Sequence, residues 1–160
     1  MKRILTDCIR TDSEYRHLLE GLIRQRTAKA PLPIVAAGLC DGAADALAVS
    51  LVTDVGGRKS GGVLMVCADE KECVRTVNLL KDFGLSAAHF PPRDLTFYNV
   101  TASHEFEYER LMVLSGILVG AYDAIVTTPD AALGYTIPPA RLKSEMISLY
   151  ADDTDRKSVV

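Results

Sequence analysis

Gly38-Leu39-Cys40-Asp41-Gly42-Ala43-Ala44-Asp45 is the stretch whose residue types and spacing could do chemistry. It follows the apolar run Pro33–Ala37 and opens an alanine-rich segment. It therefore reads as a glycine-bounded turn between a short buried strand and a helix from Ala43 to Val55. Such a turn can cradle phosphate, because backbone N–H groups and the positive end of the helix dipole face one point. Nucleotide chemistry needs more: a lysine that reaches the β and γ phosphates, and a Ser or Thr hydroxyl for magnesium. Ala43 and Ala44 stand in those places, and Asp41 and Asp45 put negative charge where a triphosphate would sit. The turn has the architecture of a nucleotide site without the means to hold a nucleotide. The expectation is a degenerate site at Gly38, Cys40, Asp41, Gly42, Ala43 and Ala44, with no cofactor.

The other chemistry-bearing residues each have a plainer reading. Cys40, near a helix start, could be an activated thiolate. A phosphatase loop would carry an arginine six positions on, but Ala46 follows Cys40 at that distance and Cys73 follows Cys67. Small buried cysteines are the better reading, since free Cys is among the most buried residue types. His89 and His104 with Glu105 and Glu107 could be metal ligands, but no HExxH spacing exists and His89 lies on a separate element, so no metal site is expected. Asp123 precedes an apolar run and Asp130 follows it, so they make no acidic pair at a strand end. Arg93-Asp94 with Glu109-Arg110 is the most interesting polar group. It reads either as a partner surface at the strand ends or as an ion-pair network pinning the long loop 91–99.

The elements that position these residues follow from periodicity. Asp12 or Ser13 caps a helix to about Thr27, with Tyr15, Leu18, Leu19, Leu22 and Ile23 near one face. Residues 1–11 lack clear periodicity. Gly56–Gly62 reads as a polar, mobile loop. Val63–Ala68 is a continuous apolar run of the kind buried on both faces in parallel sheets. Asp69 caps a helix to about Phe83, stopped by Gly84, and Leu85–Phe90 is the next strand. A helix runs from Ser103 to about Gly120, and Asp123–Thr128 is a strand ended by Pro129. Asp130–Leu133 is one helical turn, Ile137–Leu142 an extended connector, and Met146–Tyr150 a further strand. Strand and helix alternate, which predicts an α/β fold: a three-layer parallel sheet with helices on both faces.

Composition bounds the partners. The chain has 160 residues, 48% hydrophobic and 24% charged, with a net charge of −3. That is the balance of a globular domain and argues against a free-standing nucleic-acid binder, which shows a basic face. No apolar run approaches the roughly 18 residues of a membrane span, and no signal peptide is visible. The 4 cysteines form no CxxC, so reduced thiols in the cytoplasm are expected. The tail Asp152–Val160 is short and charged and reads as a cut in a longer chain.

Three stretches in register carry a family resemblance. They are Gly38–Ala44; Phe90-Pro91-Pro92-Arg93-Asp94-Leu95 with Tyr98 and then Glu109-Arg110-Leu111; and Ile125–Leu133 with Ile137-Pro138-Pro139. Their order and spacing resemble the N-terminal region of bacterial transcription-repair coupling factor (Mfd), which is similar to the first domain of the excision-repair protein UvrB. The resemblance covers about residues 12–150. It implies a P-loop-NTPase-like fold that has lost its nucleotide site, within a parent that is an ATP-dependent DNA translocase acting on stalled RNA polymerase and recruiting UvrA. It implies residues 1–142 as the UvrB-like α/β domain and 143–160 as the start of an adjoining subdomain that carries most of the UvrA-contacting surface. The fragment itself would be a non-catalytic scaffold in nucleotide excision repair, packing against other domains of the parent, with DNA held by the parent's motor. The alternative is a small-molecule or nucleotide-binding enzyme domain on a Rossmann-like or flavodoxin-like scaffold. That alternative would need a phosphate-cradling glycine loop and a catalytic acid or base, and the chain has no GxGxxG.

Overall fold

Short apolar runs rich in alanine and β-branched residues form the sheet, and capped amphipathic segments form the helices around it. The computed structural model describes residues 2–92 and 105–146. In chain order these hold α1 (Lys2–Thr11), α2 (Ser13–Arg26), α3 (Asp41–Asp54), a 3-10 turn (Gly57–Ser60) and β1 (Val63–Val66). There follow α4 (Glu70–Asp82), β2 (Ala87–Phe90), α5 (Glu105–Leu118), β3 (Ala124–Thr127), α6 (Pro129–Leu133) and α7 (Pro139–Glu145).

The strands are all parallel, in the order β1-β3-β2, with Val63 and Ala87 both opposite Ala124. From β1 to β2 the chain steps over β3, and from β2 to β3 it steps back. With right-handed crossovers, opposite steps place their helices on opposite faces. The core divides accordingly. Val49 and Val52 of α3 join Cys73, Val77 and Leu80 of α4 over Ala87, Ala124 and Val126 on one face. Val113 of α5 packs with Phe90 and Ala131 on the other. The chain is thus a mixed α/β protein with a small parallel sheet and helices on both faces.

Local chemistry sets the helix ends as read. The Asp12 carboxylate accepts the Glu14 N–H at 2.7 Å and caps α2. Asp69 accepts the Glu72 N–H at 2.8 Å, and the Glu72 carboxylate accepts the Ala68 N–H at 3.1 Å, so both sides of the α4 start are satisfied. Gly84, at φ 82, ends α4: its N–H reaches Lys81 O, and the Leu85 N–H reaches Leu80 O. That pair of bonds needs a left-handed residue, and glycine adopts it without a Cβ penalty.

Four expectations are corrected. Pro33–Ala37 is extended but does not join the sheet of the described residues, and Val35 is 82% exposed. Two features hold it over α2 instead. The Leu32 N–H donates to Gln25 Oε1 at 2.9 Å, and Ile34 Cδ1 lies 3.0 Å from where a Cβ on Gly21 would be. Residues 2–11 form a helix, with Thr6 buried and Ile9 and Arg10 half-buried toward α3. The connector at 137–142 becomes helical from Pro139, because proline at the first helical position is pre-set for the turn. The Gly56–Gly62 loop is pinned rather than loose: the Arg58 N–H donates to Asp123 Oδ1 at 3.2 Å, and the Gly62 N–H to Gly57 O at 2.8 Å. The strand expected at Met146–Tyr150 lies beyond the described residues from 147 onward.

Candidate functional site

The start of α3 is the turn that the sequence marks as a degenerate phosphate site. Cys40 is the N-cap and makes no side-chain capping bond; only its carbonyl accepts the Ala44 N–H, at 2.9 Å. Gly38, Cys40, Asp41, Gly42 and Ala44 are exposed and Ala43 is half-buried. Asp45 is gripped from α4 by Arg75, whose Nη1 lies 2.9 Å from both carboxylate oxygens. That hydrogen bond, chiefly, raises the guanidinium above its ordinary value. The positive end of the helix dipole thus faces the chain's own carboxylates. The preceding residues are not a sheet strand, so the turn does not stand at a strand's carboxyl end.

The carboxyl ends of the strands are closed by bonds within the chain. Thr127 Oγ1 donates to Phe90 O at 2.9 Å, and the Cys67 N–H to Thr127 O at 2.9 Å. Thr128 caps α6 by accepting the Ala131 N–H at 3.4 Å. Arg110 is turned inward and only 5% exposed. Its Nη1 donates to Pro91 O, and its guanidinium lies over the Phe90 ring at 4.0 Å. A cation desolvated over an aromatic face gains up to about 2 kcal/mol. Of the four residues read as a partner surface, then, Arg110 is buried, Glu109 is exposed, and Arg93 and Asp94 lie outside the described residues. The sequence signal for the inward arginine was its place three and four residues before Val113 and Leu114, on the apolar stripe of α5.

Two carboxylate hubs escaped the sequence reading. Asp123 Oδ1 accepts Arg58 N–H and Nε–H, each at 3.2 Å, and Oδ2 accepts the Ser86 N–H at 2.8 Å. Burial pushes this carboxyl up, but the Ser86 and Arg58 donors outweigh it and hold it below the ordinary value. Asp54 accepts Arg10 Nε and Nη2, each at 2.9 Å, and the Tyr15 hydroxyl at 2.6 Å. Burial, then the bond to Asp54, raises the Tyr15 hydroxyl, while the same carboxylate raises Arg10. These hubs join residues 37 to 65 positions apart, so no local spacing announces them.

Two larger cavities lie between these elements. One, of about 350 Å³, lies between α5 and the sheet and is lined by Leu64, Phe90, Leu114, Ile117, Tyr122 and Ile125. The other, of about 610 Å³, lies between α2, the 34–39 segment and α3, with Asp12, Glu14 and His17 beside Leu18, Ile34 and Leu47. No group of three His, Cys, Asp or Glu that could hold a metal ion occurs among the described residues. His89 is half-buried on β2, Glu107 is exposed, and His104 lies outside the described residues. Cys8 and Cys40 are exposed, Cys67 half-buried and Cys73 buried. No helix among the described residues is long and apolar enough to cross a membrane. No protein family, curated protein or solved structure matches the chain.

Proposed function

We propose that this chain is a nucleotide-silent α/β module of the transcription-repair coupling factor type, with a P-loop-NTPase-like fold akin to the first domain of UvrB. It acts through contacts, in the cytoplasm, rather than through catalysis. The observation that carries the reading is the start of α3. Asp41 and Asp45 stand where phosphate would bind, and Arg75 of α4 engages the protein's own Asp45. The closed strand ends support it too, since Thr127, Thr128 and Arg110 direct their polar atoms to neighbouring backbone.

On this reading the partners are other domains of the same coupling factor and, through the region after Leu142, UvrA. RNA polymerase and DNA are contacts of the whole parent, which would be an ATP-dependent translocase. A thermal-shift titration with Mg-ATP tests the silent site. The melting temperature is expected to stay constant, whereas a rise that follows ligand concentration, as mass action requires of a specific site, overturns the reading. Isothermal titration with UvrA tests the partner. Weak binding by this chain and strong binding by a longer one carrying the complete adjoining subdomain is the expected result, because a stable interface buries on the order of 800 Å² per partner. Equal, tight binding by both would move the recruiting surface into residues 1–142.

A further inference from the structure

Cys67 and Cys73 meet where β1 hands over to α4. Cys67 is the second residue before the helix cap Asp69, and Cys73 is the fourth residue of the helix. A side chain at that fourth position leans back over the chain entering the helix. Cys67 packs against the apolar cluster that contains Cys73, and the Cys73 thiol feels the Cys67 thiol beside it. The Cys67 thiol also donates to Thr76 Oγ1 at 3.8 Å, and Thr76 stands one turn beyond Cys73 on the same face of α4. Cys73 is fully buried in the core beneath α3 and α4, and Cys67 packs against that core while remaining half-exposed.

We propose that Cys67 and Cys73 form an oxidisable dithiol: glutathione disulfide converts them to an intrachain disulfide, with Cys67 reacting first and Cys73 resolving. The accessible Cys67 thiolate attacks one sulfur of glutathione disulfide. The S–S bond of the reagent breaks, one glutathione leaves as its thiol, and Cys67 carries the other as a mixed disulfide. Cys73 then gives up its proton and attacks the Cys67 sulfur, expelling the second glutathione. Two protein thiols are oxidised and one glutathione disulfide is reduced to two thiols, so the step balances.

The order of events follows from the surroundings. Burial first, and then the Cys67 thiol beside it, pushes the Cys73 thiol up to about 11. It therefore keeps its proton while Cys67 is reduced. Once Cys67 is in a mixed disulfide, its thiol no longer opposes Cys73 ionisation, and attack on the Cys67 sulfur expels glutathione. The product would tie the end of β1 to the first turn of α4 without unfolding either. The inference is independent of the proposed function, since it concerns only these thiols.

The test is incubation of the full chain with glutathione disulfide, quenching with an alkylating agent, and tryptic mapping. Trypsin cuts after Lys59, Lys71 and Arg75, so the disulfide joins peptide Ser60–Lys71 to peptide Glu72–Arg75. That linked pair is expected as the main product at Cys67, while exposed Cys8 and Cys40 supply glutathione adducts as internal controls. Cys73→Ala is expected to leave Cys67 as a lasting glutathione adduct. If Cys67 in the unaltered chain stays alkylated or ends as a glutathione adduct with no linked peptide, the proposal is overturned. That result needs no variant to fold.

Discussion

The two faces of the sheet are built by different means. Under α3 and α4 the face is closed by aliphatic packing, with Leu80, Val126 and Ala124 fully buried. Under α5 the apolar core is smaller, and the gap is bridged by Arg110 over Phe90 and by Tyr122 lying against a glycine of the helix. On that same side the structure leaves the cavity of about 350 Å³, and Leu64 and Val66 of β1 stay 63% and 55% exposed. The difference teaches that β3 is held from one side by the hydrophobic effect and from the other by specific contacts. Specific contacts tolerate little change of shape, whereas area-driven packing responds chiefly to lost volume.

Leu80→Ala gives the sharpest test. Leu80 is 0% exposed, and removing its side chain opens a cavity worth about 2–5 kcal/mol. Denaturant unfolding is expected to show that loss for Leu80→Ala and less than half of it for Leu114→Ala beside the existing cavity. Equal losses would mean that the two faces are packed alike.

Gly116→Ala probes the other face. A Cβ there would lie 2.3 Å from Cε2 of Tyr122, so ring or helix must shift. The expected loss is about 1–3 kcal/mol, the usual cost of overpacking. Tyr122→Ala in the same chain is expected to cancel part of it, because the two residues share one contact. Strict additivity in the double variant would deny that the ring and the glycine are fitted to each other.

Asp123→Asn tests the hub that joins the 3-10 turn and the start of β2 to β3. The folded carboxyl is held below its ordinary value, so its ionised form favours folding. That contribution is complete above the ordinary carboxylate range and is lost as pH falls through the folded value. Melting curves of the original chain and of Asp123→Asn are therefore expected to differ most near neutrality, by about 1–3 kcal/mol for the charge-assisted bonds, and to converge in acid. A difference that stays constant with pH would remove the carboxylate from the account.

Arg75→Ala should have the smallest effect. Its side chain is 55% exposed, so solvent screens the pair with Asp45 and the loss is expected to be under about 1 kcal/mol, shrinking further in salt. Since Arg75 faces the start of α3 and not the sheet, a larger effect would show that this corner supports the core.

Much of the fold is written in local sequence. The apolar runs at Val63–Val66, Ala87–Phe90 and Ala124–Thr127, the caps Asp12 and Asp69, and the stop at Gly84 declare a parallel α/β alternation because each acts within a turn or two of itself. The absence of lysine and hydroxyl from Gly38 to Asp45, at the helix start, is likewise a matter of residue identity. Tertiary structure alone decided the rest. Pro33–Ala37 reads as a strand, since a short apolar run suits any covered place, but Gln25 and the bare surface at Gly21 hold it over α2. Arg110 reads as part of a partner surface or of an ion-pair network, yet it turns inward because Pro91 O and the Phe90 ring offer it a bond and a face. Asp123 and Asp54 became hubs only when donors up to 65 positions away were brought to them. Periodicity and caps depend on neighbours in the chain. Which polar atoms meet, and which apolar run finds an open sheet edge, depends on neighbours in space.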